Sequence, residues 1–264
     1  MRYLTIVLTT TLLTVGLAHS EEPLQLRYQD GFGPMTLTIT QNIEVKRPIA
    51  SREMSFDVTL ATDLTAASAS LVIESAKASY SAHGMEQRLG TRHLTGSTVP
   101  LAILEDGRQL TEIEPADAPV IDLGPPVSGG FSVAGMLIGV LPQLPDQPIS
   151  VGTSWSTERS VHSLEGWAWG AGKLESRHRV ISIDSRHGRT IVTVETEAEG
   201  MLQSGEGERP YSGELKRSLH WTFDATGGRV LSMSMEQETD GLSTLPQGEL
   251  AVRQRTEVEL APAA

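Results

Sequence analysis

A period of two constrains this chain more than any other feature. Met54, Phe56, Val58 and Leu60 alternate with Ser55, Asp57 and Thr59, and Leu215, Leu219, Trp221 and Phe223 alternate with Lys216, Ser218, His220 and Thr222. Leu250, Val252, Val258 and Leu260 face one side while Arg253, Arg255, Glu257 and Glu259 face the other. Successive side chains on a strand point to opposite faces, so each run predicts a strand with one dry and one wet face. Gly-containing turns separate the runs, which is the pattern of an antiparallel meander. The eleven residues 250–260 would reach roughly 37 Å at about 3.4 Å per residue. Strands of that length suit a wide, curved sheet.

Residues 1–20 read as a secretory leader. Arg2 provides a minimal positive start, Leu4, Ile6, Val7, Leu8, Leu12, Leu13, Val15 and Leu17 an apolar stretch, and Ala18-His19-Ser20 the small-x-small cleavage pattern. Polar Glu21-Glu22 follows directly, and a retained span needs about 20 apolar residues with anchors. The expectation is a protein exported to the periplasm or the medium, cleaved near Ser20, and not integral to a membrane thereafter. Without Arg2 the chain keeps 20 basic and 33 acidic side chains, a net charge of −13. That charge argues against nucleic acid and anionic membrane surfaces, which are bound through clustered Lys and Arg. The 244 residues left are enough for a core that stands without staples, and the chain contains no Cys.

Residues 122–152 break the alternation. Gly124-Pro125-Pro126 and Ser128-Gly129-Gly130 precede an apolar stretch, 131–141, which ends at Pro142 with Pro145 and Pro148 beyond. Ser128 can cap a short helix that Pro142 stops. Phe131, Val133, Ala134, Met136, Leu137, Ile138, Val140 and Leu141 leave that helix no polar face, so it must be buried. The dry side of a sheet is the obvious shelter. The chain thus divides into residues 21–121 and 153–264, two β-rich halves, around a central linker. The halves look related, because the strand, Gly turn, Arg and strand around Gly107-Arg108 reappear around Gly228-Arg229, an offset of 121 residues at the glycines.

The linker run from Leu141-Pro142 through Pro145 to Val151-Gly152 and Trp155 resembles the Leu-Pro-x-x-Pro…Val-Gly-x-x-Trp linker of a group of exported bacterial β-proteins, to which no reaction is assigned. At the level of fold, an apolar helix against long strands is also similar to the half-barrel of periplasmic lipid and lipoprotein carriers of the LolA type. The resemblance implies a sheet that shelters an apolar guest; fold alone does not carry function.

Catalytic signatures are few. There is no Cys nucleophile, no G-x-S-x-G elbow, no Walker loop, no G-x-G-x-x-G fingerprint and no H-E-x-x-H. Neither a cofactor nor a metal is expected. His83, His93, His162, His178, His187 and His220 lie singly, as surface or internally satisfied strand histidines. Glu195, Glu197 and Glu199 share one face of a strand; such a row can hold Ca²⁺ or act as acid and base, but fits a solvated outer face better. Met233 and Met235 would suit Cu(I), yet they share parity with Leu231 and read as core. Trp167 and Trp169 point the same way if extended and lie among Gly166, Gly170 and Gly172, forming either a stacking platform for a flat ligand or core.

These observations predict an all-β fold, a curved antiparallel sheet or open half-barrel of two similar meanders with one short buried helix in the linker. The expected function is non-catalytic: binding an apolar small molecule, a lipid or a segment of an envelope protein on the concave face. Phe131, Met136, Leu137, Ile138 and Leu141 form the expected lining, with Trp167 and Trp169 beside them. A carboxylate-dependent hydrolase and a structural or assembly subunit of the envelope are the alternatives.

Overall fold

The computed structural model describes residues 24–29, 33–46, 51–64, 69–82, 85–101, 107–108, 120–122, 130–132, 140–162, 171–204, 211–245 and 248–262. The alternating runs become strands β1 (Gly33–Lys46), β2 (Ser51–Leu64), β3 (Ala69–Ala82), β4 (Met85–Arg88), β5 (Thr98–Leu101), β6 (Val120–Asp122), β7 (Gly130–Ser132), β8 (Ser154–His162), β9 (Ala171–Arg186), β10 (Arg189–Gln203), β11 (Tyr211–Asp224), β12 (Arg229–Leu245) and β13 (Gly248–Pro262). One short 3-10 turn, Arg92–Leu94, is the helical element among the described residues. The expected all-β class holds.

Eleven strands form one antiparallel sheet in the order β4-β3-β2-β1-β13-β12-β11-β10-β9-β8, with β5 paired to β3. Consecutive strands are neighbours from β1 to β4 and from β8 to β13, and the β1–β13 ladder joins the two runs. The sheet is open, with β8 at one end and β3, β4 and β5 at the other. A separate two-stranded sheet pairs β6 with β7.

Burial alternates residue by residue along β10 to β13, as one-sided hydrophobicity demands. Trp221 and Phe223 are fully buried and Met233 and Met235 nearly so, on the inner face where their parity put them. Leu231 departs from its expected parity. Thr222 opposes Ser232 while Phe223 opposes Val230, so Leu231 is the extra residue of a bulge and Val230 takes the inward place. Ile181 and Glu74 are the corresponding extra residues on β9 and β3; Ile181 is turned outward and exposed.

The N-terminal and central segments lie over the inner face. Leu26, Tyr28, Val140, Leu144 and Ile149 are buried within the same apolar cluster as the strands. Tyr28 meets Phe223 edge to face at 5.6 Å and donates its hydroxyl to the carbonyl oxygen of Pro142 at 2.7 Å. Leu24 and Ile149 exchange both backbone hydrogen bonds, at 3.0 and 2.8 Å. Trp155 donates its indole N–H to the Gln143 carbonyl at 3.3 Å, so the linker motif ties itself to the sheet. Of the stretch expected to be helical, Gly130–Ser132 is strand β7 and Val140-Leu141 a turn; residues 133–139 lie outside the described residues. Adjacent glycines disfavour a helix start, and a residue before proline disfavours helical ψ at Leu141.

Candidate functional site: the inner face of the sheet

The inner face is apolar at its margins and polar across its middle. Register sets Leu219, Met235, Val258 and Ile39 side by side on β11, β12, β13 and β1, all buried. Two residues further along each strand, the same ladders align Arg217, Gln237, Thr256 and Gln41. Thr239 and Gln254 face each other in the row beyond. Every one of these six polar residues is at most 5% exposed. Apolar residues resume with Val252 and Val45.

Hydrogen bonds within this band are unequal. The Arg217 guanidinium donates Nε to Gln237 Oε1 at 2.8 Å and Nη2 to the same oxygen. Gln41 and Gln254 each donate Nε2 to Thr256 Oγ1, at 3.4 and 3.1 Å. Their own Oε1 atoms are buried and accept no hydrogen bond from the described residues. An unmet buried acceptor costs about 1–3 kcal/mol, so two in adjacent rows call for a donor.

Toward β8 the inner face is a filled aromatic corner. Trp155 and Trp221, three ladders apart in the sheet, meet edge to face at 6.4 Å, so the side chains of β8 to β11 converge. His178 stacks on Trp155 at 4.7 Å and 13°. Its Nε2 lies 2.9 Å from Thr157 Oγ1 and its Nδ1 2.8 Å from Thr196 Oγ1, and Thr196 also accepts the Trp221 indole N–H at 3.2 Å. Burial pulls the imidazole pKa down to about 4, and the nearby Arg159 guanidinium adds to the effect. His178 is thus a neutral, doubly bonded strand histidine.

The sequence-derived lining residues fall largely outside what is described. Leu141 is half-buried and packs against the core cluster. Phe131 lies in β7 opposite Ile121, its backbone alone being described. Met136, Leu137, Ile138, Trp167 and Trp169 lie outside the described residues. The polar band escaped the sequence reading although its signal was present, since Gln41, Arg217, Gln237, Gln254 and Thr256 share parity with the apolar residues beside them. Collecting only the apolar positions hid it.

The outer face is charged and open. Glu195, Glu197 and Glu199 are exposed there, Glu195 lying 4.0 Å from His220. Two shallow grooves cross this face. One, of about 430 Å³, is lined by Glu44, Lys46, Glu214, Asp240, Leu242 and Arg253 among others; the second, of about 770 Å³, shares Met201 and Glu214 with it. Met201 and Leu242 are both about half exposed. Asp224, the buried carboxylate among the described residues, serves a turn, its Oδ1 accepting the N–H groups of Thr226 and Gly227 at 3.1 and 2.9 Å. Arg189 and Arg229 flank its Oδ2 at 3.8 Å each.

Fold and site together define an all-β protein built on one open antiparallel sheet with a single sheltered face. Compared with protein-family models and with curated proteins, the chain matches none. Among the described residues no helix is long and apolar enough to cross a membrane.

Proposed function

We propose that this is an exported, non-catalytic binding protein whose inner sheet face takes up an apolar or amphiphilic molecule, a lipid in the simplest case. The observation that carries the reading is the continuous buried face spanning β1 and β9 to β13, over which the segments 24–29 and 140–149 are laid. Apolar surface of that extent gains about 25 cal/mol for each Å² kept from water, and an acyl chain supplies such a cover as readily as protein does. On this reading the stretch 131–141 contributes to the lining, with Phe131, Met136, Leu137, Ile138 and Leu141 as the residues that meet the guest. The glycine-flanked Trp167 and Trp169 are further candidate contacts for it.

The two runs of strands joined at the β1–β13 ladder fit two related halves. In support, Gly107 and Gly228, the glycines at equivalent places in the sequence, both have left-handed φ, 66° and 61°. Their carbonyls accept hydrogen bonds from the consecutive residues Tyr28 and Gln29, at 2.6 and 2.9 Å.

The test is displacement of two fluorescent probes, a fatty acid and a monoacylglycerol, from the purified mature protein, binding of either one sufficing. Saturable binding is expected, weakened about tenfold or more by Leu137→Asp while the circular dichroism of the sheet is unchanged. Absence of saturable binding by the wild-type protein would overturn the proposal.

A further inference from the structure

Resting on that reading, we infer that the buried band of Gln41, Gln254 and Thr256 is a head-group site, and that it selects an uncharged amphiphile whose polar end donates hydrogen bonds, a hydroxyl-bearing lipid. The two open atoms are both carbonyl oxygens, Gln41 Oε1 and Gln254 Oε1. They flank one hydroxyl, Thr256 Oγ1, to which both amides already donate. All three residues are at most 1% exposed. The unmet capacity of the two amides is therefore acceptor capacity, which a donor fills, while the Thr256 hydroxyl, accepting from both amides, keeps its own proton to donate; a hydroxyl head can answer both.

The described neighbours do not supply that donor. Arg217 lies three strands from Gln41 in the same row, with Nε and Nη2 directed at Gln237 Oε1. On the flanks stand Ile39 and Val258 on one side and Ile43, Val45 and Val252 on the other, all buried. Apolar rows around a small set of convergent polar atoms match the lining chemistry of a site for an amphiphile. A carboxylate head brings only acceptors at neutral pH, and an ester brings only acceptors at any pH. A glycerol or long-chain alcohol head brings hydroxyl protons. A site built to bond a hydroxyl also rejects strongly the analogue that lacks one, because its buried acceptors are then left bare.

The experiment compares three probes of equal chain length on the mature wild-type protein: a monoacylglycerol, the corresponding methyl ester and the free fatty acid. The monoacylglycerol is expected to bind at least about tenfold more tightly than the methyl ester. The double variant Gln41→Met, Gln254→Met keeps side-chain volume and removes both acceptors. It should bind the two neutral probes equally; it takes away two unmet acceptors but also the two amide hydrogen bonds to Thr256 Oγ1, so its melting temperature is recorded only to establish that it folds. Should that variant not fold, Gln254→Met alone is expected to lose part of the preference. Equal binding of monoacylglycerol and methyl ester to wild type would overturn the inference, as would a preference that survives the substitutions; either outcome leaves the lipid-binding reading standing. If none of the three binds, the lipid-binding reading fails and the head-group site with it.

Discussion

At the scale of single residues, His178 makes the acid sensitivity of the fold predictable. The unfolded chain takes up this proton near pH 6.5 and the folded protein near 4, so between those values the unfolded state binds more protons. Stability is therefore full above about pH 6.5, falls as the pH drops through the window and levels off below about 4. The difference corresponds to at most about 3 kcal/mol. His178→Phe keeps a ring on Trp155 and removes the proton. Urea denaturation at neutral and mildly acid pH should show wild type losing about 2–3 kcal/mol more than this variant; parallel losses would contradict the assignment. A second residue-scale prediction concerns Tyr211, whose ring lies across Gly213 and Gly241 and would collide with a Cβ at either. Gly241→Ala should cost about 1–3 kcal/mol, and shortening Tyr211 to Leu in the same chain should recover part of it. Trp221, Phe223, Met233 and Met235 were readable from parity alone. The Tyr211 contact was not, because a glycine inside a strand says only that something comes close, and never what.

At the scale of elements, strand identity was legible and strand detail was not. A bulge adds one residue and reverses parity beyond it, and nothing in the alternation around Leu231 announces the extra residue. Turn chemistry was partly legible. His187 and Gly188 connect β9 to β10 with φ of 51° and 77°, the mirror-image hairpin turn that favours Asn-Gly. His187→Asn should raise stability by roughly 0.5 kcal/mol, and Gly188→Val should lower it by about 1 kcal/mol or more; thermal melts of both variants check the pair. Asp224 likewise closes the turn from β11 to β12, and its replacement by Ala should cost about 2–3 kcal/mol by stripping two backbone N–H groups of their acceptor. The helix expected over 131–141 illustrates the limit of composition. An apolar stretch without a polar face has to be buried, but burial does not choose between helix and strand, and at Gly130–Ser132 the choice is strand.

At the scale of the whole molecule, one-sided alternation was enough to imply an antiparallel sheet with a single dry face, and the linker motif marked where the chain crosses that face. Pro142, Gln143 and Trp155 do anchor the crossing. Register was out of reach, because it depends on turn lengths and bulges, and the polar band exists only once register aligns Arg217, Gln237, Thr256 and Gln41. Four unremarkable interruptions of apolar runs thus became one transverse feature. The measurement that tests the account most directly is native mass spectrometry of the protein expressed from the full sequence and purified without detergent. The account predicts a mature chain starting near Glu21 that carries one amphiphile, released on gentle activation and lost in Leu137→Asp. A bare polypeptide mass that stays bare after incubation with monoacylglycerol, fatty acid or methyl ester would contradict it.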